Sequence, residues 1–309
     1  MKKTVAFLMA LSLMLCLTTL LPLRSSAALD VLGEGPDPTQ VSVDPLLTEA
    51  FSNLNAQDSM HMDMKIALEI NILISAGGQT MSMPMSIDMT VDMDQQKEPA
   101  CISSQIEMSM SSMGQTENKQ FLLYMEQDDE TTTTYSSADG GASWNANKAD
   151  RVPVDPTEVF SIIINNSKSF QQVGTDTLDG REVLVYTGAL SGEFLQQIMN
   201  MGGSGSSLSE LIPTDGAEAS AVEFGDMPIP MFIDAQTHLP LRYTMDMGDM
   251  MKDLLGNVLK SLMGLEGMDG MEVDVDFPAA SAECFLSEFN SVPPIEIPAA
   301  AKAAVPAAA

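Results

Sequence analysis

The sequence predicts an α+β fold, a single domain of long antiparallel strands with a few helices packed against one face of the sheet. Three observations predict it. Apolar side chains alternate with polar ones over residues 60–74 and again over 81–93, and the apolar set switches from even to odd positions across Ala76-Gly77-Gly78-Gln79. Two-residue turn signals recur further on, Asp179-Gly180 being the sharpest. Helical spacing appears only in short, separate segments.

The chain opens with Met1-Lys2-Lys3, an apolar run over residues 5–23, then Arg24-Ser25-Ser26-Ala27. A basic start, an apolar middle and a small-residue exit describe a signal peptide over residues 1–27, cleaved after Ala27. A stretch of about 20 apolar residues is also long enough to span a bilayer, but Pro22 and the small residues favour cleavage, and no later stretch is long and apolar enough to span. Cys16 raises lipidation as a second processing route. Leu13, Met14 and Leu15 argue against it, because a lipoprotein peptidase needs a small residue before the Cys. Residues 28–43, rich in Gly, Pro and Asp, read as a flexible tether.

The domain is expected over residues 44–297. Asp44 is a suitable N-cap and Pro45 suits a first turn, while Leu46, Leu47, Ala50, Phe51 and Leu54 recur at helical spacing, so residues 44–56 predict a helix. Next comes the hairpin. Met60, Met62, Met64, Ile66, Leu68, Ile70, Ile72 and Ile74 alternate with polar or small residues as far as Asn71, and Met81, Met83, Met85, Ile87, Met89, Val91 and Met93 continue the same face on the return arm. Pro84 lacks an amide donor, which predicts an edge or a bulge there. Further strands are expected over 102–110, carrying Met108 and Met110, then 119–126 after a turn at Gly114-Gln115, 131–136, 170–178, 181–187, 219–224, 228–233, 239–247 and a closing strand over 283–289. Helices are expected over 191–201 and 248–263 and a short one over 155–163, where Ile162-Ile163-Ile164 leaves a strand as the alternative. The Ala/Pro-rich residues 298–309 carry no pattern that could bury a core and are expected to be disordered.

The formal net charge is −29, with 43 acidic against 14 basic residues. Losing Lys2, Lys3 and Arg24 with the leader makes the mature chain more acidic still. Such a field repels nucleic acid, polyphosphates and anionic head groups, so nucleic acid is excluded as a partner. At 45% hydrophobic residues with clear periodicity the chain is not a disordered acidic tract. Export permits a disulfide, yet Cys101 and Cys284 lie far apart in sequence, and two such thiols are expected as separate, small buried hydrophobes.

Four local pieces resemble the lipoprotein-carrier superfamily typified by LolA and LppX, and in particular its uncharacterised members among envelope lipoproteins of Gram-positive bacteria. They are Asp139-Gly140 with Trp144; the run from Leu178-Asp179-Gly180-Arg181 to Tyr186; Phe232-Ile233-Asp234 leading to Leu239-Pro240-Leu241-Arg242; and Ile295-Glu296-Ile297-Pro298. None is a catalytic motif. The resemblance implies a highly curved antiparallel β-sheet, a half-barrel, with helices packed on the concave face and an apolar cavity between them for acyl chains. Without a lipid on Cys16, the protein would be released or kept at the membrane or cell wall by peripheral association.

Methionine is the compositional outlier, with 26 residues against 11 Phe and 4 Tyr. Its unbranched, polarizable side chain adapts to variable guests, so a ligand-binding cavity wall of Met60, Met62, Met64, Met81, Met83, Met85, Met89, Met93, Met108 and Met110 is one reading, with a lipid or other hydrophobic small molecule as the partner. The alternative is a structural or interaction protein of the envelope in which the same residues form a closed core. A third reading is Cu(I) capture by Met60-His61-Met62-Asp63-Met64 and Met81-Ser82-Met83-Pro84-Met85; strand geometry opposes it by turning His61 away from the methionines. Enzymatic activity is not expected. His61 and His238 belong to no spaced metal motif or triad, Ser204 lies in a Gly/Ser run that lacks the second Gly of a nucleophile elbow, and no cofactor motif is present. The acidic runs Asp128-Asp129-Glu130 and 272–276 lack calcium-loop spacing and read as solvated faces.

Overall fold

The computed structural model describes residues 44–128, 130–150, 167–193, 225–252 and 271–304. The signal peptide, Cys16, the tether, the expected helix over 155–163, Ser204, the strand over 219–224 and residues 305–309 lie outside the described residues, as does most of the helices expected over 191–201 and 248–263.

Helix α1, Pro45–Asn55, comes first. Asp44 caps it by accepting the Leu46 amide at 2.9 Å, and Leu47, Ala50, Phe51 and Leu54 are its buried side. Eleven strands follow: β1 Ser59–Ala76, β2 Gln79–Lys97, β3 Ala100–Ser112, β4 Gln115–Gln127, β5 Thr131–Ser137, β6 Asn145–Asp150, β7 Ser167–Leu178, β8 Arg181–Leu190, β9 Met227–Asp234, β10 Pro240–Asp246 and β11 Met271–Ser287. A short helix, α2, covers Ala299–Lys302.

Among the described residues, these eleven strands form one open antiparallel sheet in the order β6-β5-β4-β3-β2-β1-β11-β10-β9-β8-β7. The chain therefore builds outward from β1 to one edge, crosses to the other edge, and returns to close on β1 with β11. The tight turns carry the expected chemistry. Gly77 and Gly78 are both left-handed, as are Asp179 and Gly180, which suits two-residue hairpin turns of the primed type. The third such turn is Met113-Gly114, one residue earlier than its sequence signal suggests. Pro84 lies one residue beyond the last β2–β3 pair, Met85 with Ser112, where β2 has lost its neighbour on that side. On edge strand β7, the Phe170 ring covers Gly188 of β8 so closely that a Cβ there would stand 2.6 Å from it.

Three elements differ from the sequence reading, the first being β6, Asn145–Asp150, which no apolar alternation announces. β11 begins at Met271, twelve positions before the expected start, because its apolar face changes parity: Val273, Val275 and Phe277 give way to Ala280, Ala282, Cys284 and Leu286 across a register shift opposite Glu69 and Asn71. The tail differs too. Over residues 298–304 it folds onto the sheet, with Ala301 fully buried against Tyr135 and Ala146, Ile297 packed beside them, and Lys302 3.4 Å from Glu126. Short alanines leave no periodic signal, yet their size lets a helical turn approach a sheet closely.

The Asp139 turn is held electrostatically. Asp139 accepts the Ser143 hydroxyl, the Ser143 amide at 2.9 Å and the Ser137 hydroxyl at 2.7 Å, which together hold its carboxyl at about 2. A depressed folded value contributes stability that is present above the ordinary pKa of 3.8 and is lost as pH falls through about 2. Asp139→Ala is accordingly expected to lower the urea midpoint at neutral pH, with the gap to wild type closing as the pH is lowered from about 5 toward 2, measured by urea titration at each pH.

Candidate functional site

The alternation in β1 and β2 sets one face of the sheet, and the register carries it sideways. Tyr186, Met231, Tyr243, Cys284, Met64, Val91, Ile106 and Phe121 are successive cross-strand partners over β8, β9, β10, β11, β1, β2, β3 and β4. This row is a transverse section through one apolar face. Helix α1 packs on the same face: its buried residues join Met60, Met64, Ile229, Met231 and Tyr243 in a single core. The Tyr186 hydroxyl donates to Asp44 at 3.2 Å, and the Asn53 amide to the Thr237 carbonyl at 3.0 Å, which pins the helix to the β8–β10 side.

All ten methionines singled out from the sequence lie on this face, but they are not equivalent. Met60, Met62, Met64, Met89, Met93 and Met108 are buried; Met83, Met85 and Met110 are half-buried; Met81 is 61% exposed. The stripe thus grades from core at the α1 end of the strands to open surface at the Gly77-Gly78 end. Sequence reasoning missed the far half of the face, Met227, Ile229, Met231 and Ile233 of β9 with Tyr243 of β10. The strands themselves are expected, over 228–233 and 239–247, but their alternation alone does not say that they share a face with β1 and β2.

Burial sets the titration of the tyrosine and cysteine groups. Burial first, then the Asp44 charge, pushes the Tyr186 hydroxyl up to about 12. Burial raises Cys284 to about 12 against the pull of its Tyr243 hydrogen bond, and raises Cys101 to about 11, helped by Glu126. Both cysteines are free and buried. They stand on opposite faces, Cys284 beside Met64 and Cys101 beside Glu126, so neither a bridge nor a thiolate nucleophile arises from them.

On the opposite face, the pieces that carry the sequence resemblance act as fasteners. Arg242 lies between the rings of Phe232 and Phe285, 5.0 and 5.3 Å from their centroids, and pairs with Glu283. Asp234 accepts the Gln236 and Thr237 amides at 2.9 and 2.8 Å, fixing the β9–β10 turn. The Trp144 indole donates to the Gly141 carbonyl at 3.0 Å, and the Ile295 amide donates to Gln96 at 3.1 Å. None of these residues points at the methionine stripe.

The same opposite face brings His61 together with acidic residues that are distant in sequence. Its Nδ1 lies 2.8 Å from Asp94 and its Nε2 3.3 Å from Asp63. Burial lowers the imidazole pKa, but the Asp94 hydrogen bond and the charges of Asp63, Asp92 and Asp94 outweigh it and raise the group above its ordinary value. His238, by contrast, caps the β9–β10 turn and pairs with Glu49 of α1 at 3.0 Å.

No family model matches this chain, and no curated protein matches its sequence. Solved structures do match. Lipoprotein LppX of Mycobacterium tuberculosis aligns at 11% identity and TM-score 0.36 over 82% of this chain and 100% of that one. LprF from Mycobacterium bovis aligns at 13% identity and TM-score 0.40, over 86% and 99%. A putative outer membrane lipoprotein-sorting protein domain from Vibrio parahaemolyticus aligns at 10% identity and TM-score 0.18, over 72% and 83%. Among the described residues, no helix is long and apolar enough to cross a membrane.

Proposed function

We propose that this protein acts outside the cytoplasm and binds a lipid or other hydrophobic ligand against its methionine-lined face without transforming it. The observation that carries the reading is the gradient along the stripe: one apolar surface continues from fully buried Met64 through half-buried Met83, Met85 and Met110 to exposed Met81. An apolar surface that outlasts the core offers an acyl chain a continuous path from solvent into the interior. Burying such a chain yields about 0.8 kcal/mol per methylene, enough to hold it through area alone. Methionine suits the task because its side chain re-packs around guests of different shape.

An open sheet of this width tends to curl instead of lying flat, which supports reading the stripe as the lining of a half-barrel with α1 on its hollow side. The N-terminal segment supplies export, after which a soluble protein, or one associated peripherally with the membrane or cell wall, presents the hollow to ligand. The rival reading, a closed structural core, draws on the six stripe methionines that are already buried.

Native mass spectrometry of the mature protein purified from a bacterial host separates the two. Co-purifying mass that denaturing extraction identifies as lipid is the expected result. A bare protein mass that stays bare after incubation with phospholipid vesicles and free fatty acids selects the closed core.

A further inference from the structure

The register of the two central strands brings together a set of donors that neither strand carries alone. On the face opposite the methionines, His61 stands directly across from Asp94, and Asp63 directly across from Asp92. One ligand atom from each of His61, Asp63 and Asp92 falls within 4.8 Å of the others. We propose that these three residues bind a divalent cation of the zinc type, with Asp94 as the orienting partner of the histidine.

Three features carry the inference. First, two carboxylates directly opposite each other in an antiparallel pair repel, and among the described residues no lysine or arginine lies within ion-pair distance of Asp63, Asp92 or Asp94. A divalent ion offsets both carboxylates of the Asp63–Asp92 pair, whereas a proton on His61 offsets one charge. Second, the imidazole is already aimed. Its Nδ1 is engaged by Asp94 at 2.8 Å, which directs Nε2 toward Asp63, 3.3 Å away. A carboxylate that accepts from one ring nitrogen fixes the tautomer whose other nitrogen offers its lone pair to a metal. Third, one imidazole with two carboxylates is a borderline nitrogen–oxygen set, matched to zinc-type ions and not to the soft Cu(I) that methionines would select. The ligands rise from the start of β1 and the end of β2, where β11 and β3 still pair with them, so their backbone is held by hydrogen bonds on both sides. The exposure of Asp63 and Asp92 leaves further coordination positions to water.

The test uses the full mature chain, stripped with a chelator and titrated with Co²⁺ under absorption spectroscopy, then with Zn²⁺ in competition. The expected result is saturable binding of one Co²⁺ per chain, displaced by Zn²⁺, and weakened at least tenfold by His61→Gln and by Asp92→Asn. Asp88→Asn, on the same face of β2 but across from Ala67, leaves it unchanged. Far-UV circular dichroism melts establish that each variant is folded. Three outcomes overturn the proposal: no saturable Co²⁺ binding, binding that survives His61→Gln undiminished, or an equal loss in Asp88→Asn, which would mark a diffuse acidic surface.

Discussion

Met64→Asp is expected to unfold the protein, whereas Thr90→Asp, a substitution one rung away on the ladder and on the other face, is expected to leave it folded. Met64 is 1% exposed and sits at the centre of the eight-strand row, opposite Val91 and Cys284. Removing a buried methionine side chain costs about 2–5 kcal/mol. Placing a carboxylate in the space adds several kcal/mol more, because its ladder neighbours Val91 and Cys284 offer no cation to pair with it. Together these terms match the roughly 5–15 kcal/mol that holds a domain folded. Thr90 is exposed and lies across from Lys65, so a carboxylate there changes stability by no more than about 0.5 kcal/mol. Equilibrium urea unfolding of the two variants measures the contrast. Equal midpoints would mean that the face assignment of β1 and β2 is wrong, since a one-residue slip exchanges the two faces.

That contrast rests on what the sequence made most legible. The hairpin of β1 and β2 was readable because three independent signals agree: alternation in each arm, opposite parity between arms, and a two-glycine turn that fixes the register. Met62 with Met93 and Ile66 with Met89 follow from those alone. The first half of β11 was harder. Glu272, Asp274 and Asp276 look like a solvated acidic run until the partner strand is known, and only pairing with β1 shows Val273 and Val275 as the buried alternates. The bulge near Phe277 then shifts the parity, so no single alternation spans the strand.

The candidate sites divide along the same line. The methionine face was legible because its residues lie on neighbouring positions of one pattern. The histidine cluster was not, because Asp92 and Asp94 are distant from His61 in sequence and read individually as polar positions of a half-buried strand. Only the register makes them neighbours. α2 lies between these cases: Ala301 is buried by contact with Tyr135 and Ala146, residues of strands formed much earlier in the chain, and nothing local to the tail encodes that contact.

Met83→Asp and Met85→Asp are expected to abolish most ligand binding while sparing the fold, and they probe the open end of the stripe, where fold and function separate. Both side chains are half-buried, opposite Ile72 and Ile70, near the end of β2 that β3 no longer covers. A carboxylate there stays near water, so the stability cost is about 1 kcal/mol. An acyl chain lying along the stripe must pass these positions, and a hydrated carboxylate displaces two or three methylenes from apolar contact. At about 0.8 kcal/mol each, that is about 2 kcal/mol, or roughly 30-fold in affinity. Displacement titrations with a fluorescent fatty acid measure it, with Thr90→Asp carrying the same added charge on the opposite face of the same strand. A loss shared by Thr90→Asp would assign the effect to net charge. Undiminished binding in Met83→Asp and Met85→Asp would remove the open end from the path and leave the α1 end of the face as the only route to the interior. A loss confined to the two methionine positions would identify the exposed stretch of the stripe as the entrance, which a closed core has no reason to maintain.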